Sequence, residues 1–123
     1  MSGNVKFDKW VNDDNSENYK CRAWVNFNGV GTVAIRASGG VSSITDNGAG
    51  LYTVNFTAAM VDVNYAVICG GYFVGGSGGG NAKGITAESP LPITKSTTAV
   101  GVLTTDATFN TVDAANVNVS IFR

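Results

Sequence analysis

In the stretch from Cys21 to Val67 three runs place apolar residues two apart, and no other feature of the chain restricts its fold as much. Cys21, Ala23, Val25 and Phe27 form one set, Val33, Ile35 and Ala37 a second, and Tyr52, Val54 and Phe56 a third. Successive strand side chains point to opposite faces, so each set offers one face of an extended strand to a core. Asn28-Gly29, Gly39-Gly40 and Asp46-Asn47-Gly48 lie between the sets. These residues tolerate the positive φ that tight turns between antiparallel strands need. The spacing predicts a meander of short strands.

Tyr65, Val67 and Cys69 continue the pattern, with Ala66 and Ile68 on the opposite face. Apolar residues on both faces predict a central strand there. Trp24 points away from Cys21 and Phe27, so its strand carries a large aromatic on each face. One open sheet would leave Trp24 in water. Either a second sheet covers it, making a sandwich, or a neighbouring subunit does. Val117, Val119 and Ile121 opposite Phe122 pose the same question in the last strand. The fold class expected is all-β, a compact antiparallel β-sandwich, with Trp24 and Phe122 as subunit-packing residues. A chain of 123 residues suits one domain, here residues 20–123, with residues 1–19 as an arm.

That arm shows no sustained alternation and ends in the polar cluster Asn12 to Asn18. Two readings of it stand side by side. Val5 to Val11 form a short edge strand folded back on the domain, or Phe7, Trp10 and Val11 anchor the chain to another protein, as aromatic side chains often do. Gly70 to Gly84 is the one low-complexity segment. Lys83 follows Ala82 rather than glycine and no G-x-G-x-x-G occurs, so a phosphate cradle is excluded and a long exposed hairpin tip is expected. Tyr72, Phe73, Asn81 and Lys83 are its candidates for surface recognition. Ile85–Ala87, Ile93–Thr98 and Ala99–Leu103 read as further strands around Pro90 and Pro92, residues that suit an edge or a kink. Asp106–Asn116 reads as a loop.

The residues carry little chemistry. The chain has no histidine, which removes the Ser-His-Asp arrangement and the usual zinc and non-haem iron ligand sets. Asp46, Asp62, Glu88, Asp106 and Asp113 are the acids outside the arm, and each sits where turn chemistry explains it better than a carboxylate pair does. Asp13-Asp14-Asn15 lacks the rest of a calcium loop. No enzyme, cofactor or metal site is expected. A formal net charge of −1 argues against nucleic acid as a partner. No apolar stretch suits a signal peptide or membrane insertion, so synthesis in a cytoplasm is expected. Cys21 and Cys69 then read as reduced, half-buried residues, and the sequons at Asn55 and Asn118 read as chance.

Ala23-Trp24-Val25-Asn26-Phe27-Asn28-Gly29, Gly31 to Arg36, Val41 to Gly48 and Tyr52 to Thr57 closely resemble a module of tailed-bacteriophage tail-fibre and other virion structural proteins, those of marine and cyanobacterial phages especially. Val119 to Arg123 looks like the usual ending of that module. The resemblance spans roughly residues 20 to 123 and implies a β-rich, commonly trimeric head. It further implies a virion location, with capsid, tail or fibre proteins as partners beside self-association. The lead-in is too short for a fibre shaft. Two functions are expected from it: a structural head docking through residues 1–19, or a tip recognising host-surface glycan.

Overall fold

The computed structural model describes residues 3–6, 8, 10–16, 19–72, 85–91 and 93–123, and among these it contains eight strands and no helix. They are β1 (Cys21–Asn28), β2 (Ala34–Gly39), β3 (Val41–Gly48), β4 (Leu51–Phe56), β5 (Ala66–Tyr72), β6 (Thr86–Glu88), β7 (Ala99–Thr104) and β8 (Asn116–Phe122). Two four-stranded sheets face each other, ordered β2-β1-β8-β5 and β3-β4-β7-β6, with every pairing antiparallel. The all-β sandwich expected from the alternation is present. Three hairpins, β1–β2, β3–β4 and β6–β7, join sequence neighbours, and the other pairings join strands far apart in the chain. Gly40 is the point at which the chain leaves one sheet for the other. Its φ of +69° favours glycine, and a Cβ there would stand 2.8 Å from the Arg22 carbonyl oxygen.

The core lies between the sheets. Ala23, Val25 and Phe27 from β1 and Val117, Val119 and Ile121 from β8 face Tyr52, Val54 and Phe56 from β4 and Val100 and Val102 from β7, all buried. Two edge-to-face aromatic pairs close the interior: Phe27 with Tyr52 at 5.1 Å between ring centres, and Phe56 with Tyr65 at 5.6 Å. Such pairs add about 0.5–1.5 kcal/mol each beyond the area they bury. The Tyr52 hydroxyl donates to Asp113 Oδ1 at 2.9 Å, with the Gly29 carbonyl oxygen at 3.1 Å. Asp113 Oδ1 also accepts the Gly50 N–H at 2.8 Å. One carboxylate thus ties the β3–β4 turn and the core tyrosine to the segment entering β8.

Several sequence expectations are corrected. Cys21 is exposed rather than half-buried, because the β1–β8 register shifts between Cys21 and Ala23 and turns Cys21 to the outer face opposite Phe122. Cys69 does face the core, half-buried and free. Val33, Ile35 and Ala37 do not share a face. The register against β1 shifts so that Asn26 opposes Ala37 and Phe27 opposes Ile35, which leaves Arg36 as the bulged residue and sends its neighbours to opposite sides. The strand containing Val67 and Cys69 is not central: β8 inserts between β1 and β5, so β5 is an edge and Ile68 is 59% exposed. It also runs through Gly70 and Gly71 to Tyr72, so the glycine-rich tip starts later than expected.

Residues 93–98 form a turn rather than a strand. The Ser96 hydroxyl accepts the N–H groups of Thr98 and Ala99, and the Thr97 and Thr98 carbonyls accept Met60 N–H and Phe56 N–H. That is side-chain capping winning over β-propensity. Before Cys21 none of the eight strands occurs. Asn12 to Ser16 closes a turn with Asp14 Oδ1 accepting the Ser16 N–H, while Val5 and Val11 remain 84% and 56% exposed.

Burial is the leading reason that both core tyrosines resist ionisation: Tyr65 is pushed up to about 12, and Tyr52, with the Asp113 carboxylate beside it, rises well above its ordinary 10.0. A group whose pKa is raised on folding stabilises the fold fully below its unfolded value and progressively less as pH rises above it. Denaturant unfolding is therefore expected to show stability falling above pH 10. Tyr52→Phe should lower stability at neutral pH by about 1–2 kcal/mol through the lost hydrogen bond, and its further loss above pH 10 should be smaller than that of the parent chain.

Candidate functional site

The outer face of the β2-β1-β8-β5 sheet gathers more of the sequence candidates than any other surface. Because β8 alternates strictly, burying Val117, Val119 and Ile121 sends Asn116, Asn118, Ser120 and Phe122 outward. Register then extends the rows sideways. Phe122 lies opposite Cys21 and Ala66, Ser120 opposite Trp24 and Ile68, Asn118 opposite Asn26 and Gly70, and Asn116 opposite Tyr72. The face has two ends. Phe122, Ala66, Ile68 and Trp24 make one apolar, and Asn26, Asn116, Asn118 and Tyr72 make the other amide-rich and polar.

Trp24 is 43% exposed, so the second sheet does not cover it; that sheet covers the opposite side of β1. The indole lies instead over Gly39 in the neighbouring strand, where an added Cβ would come 2.5 Å from Trp24 Nε1. A glycine at an edge lets a cross-strand aromatic lie flat on the backbone. At the polar end, Asn26 Nδ2 donates to Asn116 Oδ1 at 2.7 Å and to Asn118 Oδ1 at 2.6 Å. Arg36, thrown outward by its bulge, donates to Asn116 Oδ1 at 3.2 Å and to the Ala115 carbonyl at 2.6 Å. No Asp or Glu side chain belongs to these rows.

The structure thus unites Trp24, Phe122 and Tyr72 on one face. Trp10 and Val11 are exposed in the lead-in, before the first strand of that sheet. Phe7, Phe73, Asn81 and Lys83 lie outside the described residues. Sequence reasoning missed Asn26, Asn116, Asn118 and Arg36. The signal for the asparagines was present, since each alternates with a buried valine or phenylalanine and so must point outward together with Trp24. Alternation with Ile35 also sends Arg36 outward, but its partners, Asn116 and the Ala115 carbonyl, lie some eighty residues away and leave no mark in the sequence.

The acids hold structure together. Asp46 accepts the Gly48 N–H, Asp106 accepts those of Thr108 and Asn110, Asp113 anchors Tyr52, and Glu88 pairs with Lys95 at 3.3 Å. Asp62 receives both Arg123 Nε at 2.9 Å and Nη2 at 2.7 Å, and accepts the Asn64 N–H as well. Those bonds, the Arg123 contact first, hold its carboxyl down at about 2. Beside this pair lies a cleft of about 310 Å³ lined by Arg22, Ala58, Ala59, Met60, Val61 and Arg123. Arg22 Nε donates to the Arg123 carbonyl at 2.8 Å, so the side chains at its mouth are already engaged. Among the described residues no three His, Cys, Asp or Glu side chains converge as a metal site would need. Burial raises the Cys69 thiol to about 11, which disfavours the nucleophilic thiolate.

Two outcomes are expected. In an NMR titration Asp62 should protonate near pH 2 in the parent chain and closer to its ordinary 3.8 in Arg123→Gln; an unchanged midpoint would mean that the ion pair does not form in solution. Gly39→Val, made in a Trp10→Phe background, should push the Trp24 indole off the strand. Its fluorescence should shift to longer wavelength while stability changes by less than about 1 kcal/mol, as is usual for surface sites. Compared with known proteins, the chain matches no family model, no curated protein and no solved structure.

Proposed function

We propose that this chain is a non-enzymatic structural protein of a bacteriophage virion, a small β-sandwich head that packs against copies of itself, as a homotrimer, through the apolar end of its outer sheet face. One observation supports the reading most: Trp24 and Ile68 flank Ser120, with Phe122 in the next row, on a surface that the protein's own core does not use, Trp24 being 43% and Ile68 59% exposed. Large apolar side chains grouped on an open sheet face mark an interaction surface more often than solitary ones do. The sequence resemblance supplies the virion setting. Residues 1–19 are the attachment arm of this reading, with Trp10 at 49% exposure and Val11 placing apolar surface outside the sandwich.

A second reading, recognition of a host-surface glycan, is favoured by Tyr72, 56% exposed beside the asparagine cluster. The two readings use opposite ends of one face and so make separate demands on it.

Sedimentation of the purified chain tests the first. A trimer is expected, with Ile68→Asp giving folded monomers because a buried charge at a subunit contact costs several kcal/mol. A parent chain that stays monomeric at every concentration would rule out the packing. Deleting residues 1–19 should leave the sandwich folded yet abolish incorporation into particles; retained incorporation would remove the arm from the account.

A further inference from the structure

We propose that the amide end of the outer face binds an uncharged saccharide chain, with Tyr72 as the stacking ring and Asn26, Asn116 and Asn118 as partners of sugar hydroxyls. This inference rests on the recognition reading and not on the virion location. Hydroxyls both donate and accept, so a surface selective for them needs both kinds of group without net charge. The asparagine cluster meets that need. After its internal bonds are made, Nδ2 of Asn116, Nδ2 of Asn118 and Oδ1 of Asn26 have no hydrogen bond to another described residue. Two donors and one acceptor therefore face outward from adjacent strands. Because Asn26 gives its Nδ2 protons to two oxygens at 2.7 and 2.6 Å, its own Oδ1 becomes a stronger acceptor.

The floor beside these groups suits a ring. Gly70 stands between Ile68 and Tyr72 on the same face of β5 and directly opposite Asn118. A Cβ built on it would meet no atom of the described residues within 4 Å, so among them the position is an open notch on the row that Tyr72 ends. The negative face of an aromatic ring attracts the C–H edges that a pyranose presents. The strands that carry Tyr72 and Asn26 are two spacings apart, about 10 Å, and the polar end from Asn116 to Asn118 runs about 7 Å along them, enough for a short oligosaccharide lying across them. No carboxylate belongs to this end, and the one charge beside it, the Arg36 guanidinium, directs Nη1 and Nη2 to Asn116 Oδ1 and the Ala115 carbonyl, so that the groups left to meet a sugar between Tyr72 and Asn26 are the neutral amides.

The test is an NMR titration of the full chain with cellohexaose, maltohexaose and mannohexaose, and with a hyaluronan hexasaccharide as the acidic probe. At least one neutral probe should move the side-chain amide signals of Asn116 and Asn118 saturably. Gly70→Leu, which fills the notch without a clash, and Tyr72→Ala should each weaken that binding about tenfold, the size typical of a central contact, while retaining a dispersed spectrum. Asn118→Asp should weaken it as well. Ile68→Asp should leave saccharide binding in place, so that failure of the packing reading and failure of this one are told apart. If no neutral probe moves those signals, if only hyaluronan does, or if binding survives both Gly70→Leu and Tyr72→Ala, the proposal is wrong.

Discussion

The position of Tyr52 is the constraint on which most of the molecule depends. Its ring is fully buried edge-on against Phe27 of the opposite sheet, so it sets how the two sheets meet. Its hydroxyl cannot be buried without a partner, and Asp113 and the Gly29 carbonyl supply one. Gly29 must itself be glycine, since a Cβ there would collide with the Tyr52 hydroxyl. One side chain thereby dictates the β1–β2 turn, the approach of the segment before β8 and the closure of the β3–β4 turn through Asp113. β8 in turn lies between β1 and β5 and produces the outer rows on which both proposed functions rest.

Edges are the other organising problem. Each sheet has two, and an exposed edge strand invites pairing with another chain. β2 meets this with a bulge that throws Arg36 out of the ladder, and β6 is only three residues long. β5 is longer and carries Ile68 and Tyr72 outward beside glycines. Its openness distinguishes the outer face of the first sheet from that of the second, which bears Ser43, Thr45 and Asn55 held in a hydrogen-bonded row. The first face is consequently the one with side chains left to offer a partner.

The acids show how local chemistry can absorb groups that would attract attention in a sequence. Asp46, Asp62 and Asp106 all accept backbone N–H groups two residues on, the ordinary turn use of aspartate. Asp113 and Glu88 instead work at longer range, on Tyr52 and Lys95. The first use is visible in sequence. The second depends on which loops the fold brings together.

By itself the sequence determined the strands and their inward residues, because a period of two is a property of the extended backbone and needs no partner to be read. Phe27, Tyr52, Val54, Val119 and Ile121 were legible on that ground, and so was the outward direction of Trp24 and Phe122. Tertiary structure decided everything that depends on register and neighbours. Two bulges moved Cys21 and Ala37 off the faces that alternation assigned to them, a side-chain cap replaced the expected strand at residues 93–98, and the insertion of β8 turned a seemingly central β5 into an edge. Pairing between strands nearly a hundred residues apart leaves no local signal, so the meeting of Trp24, the asparagines and Tyr72 on one face could be seen only once the sheets were assembled.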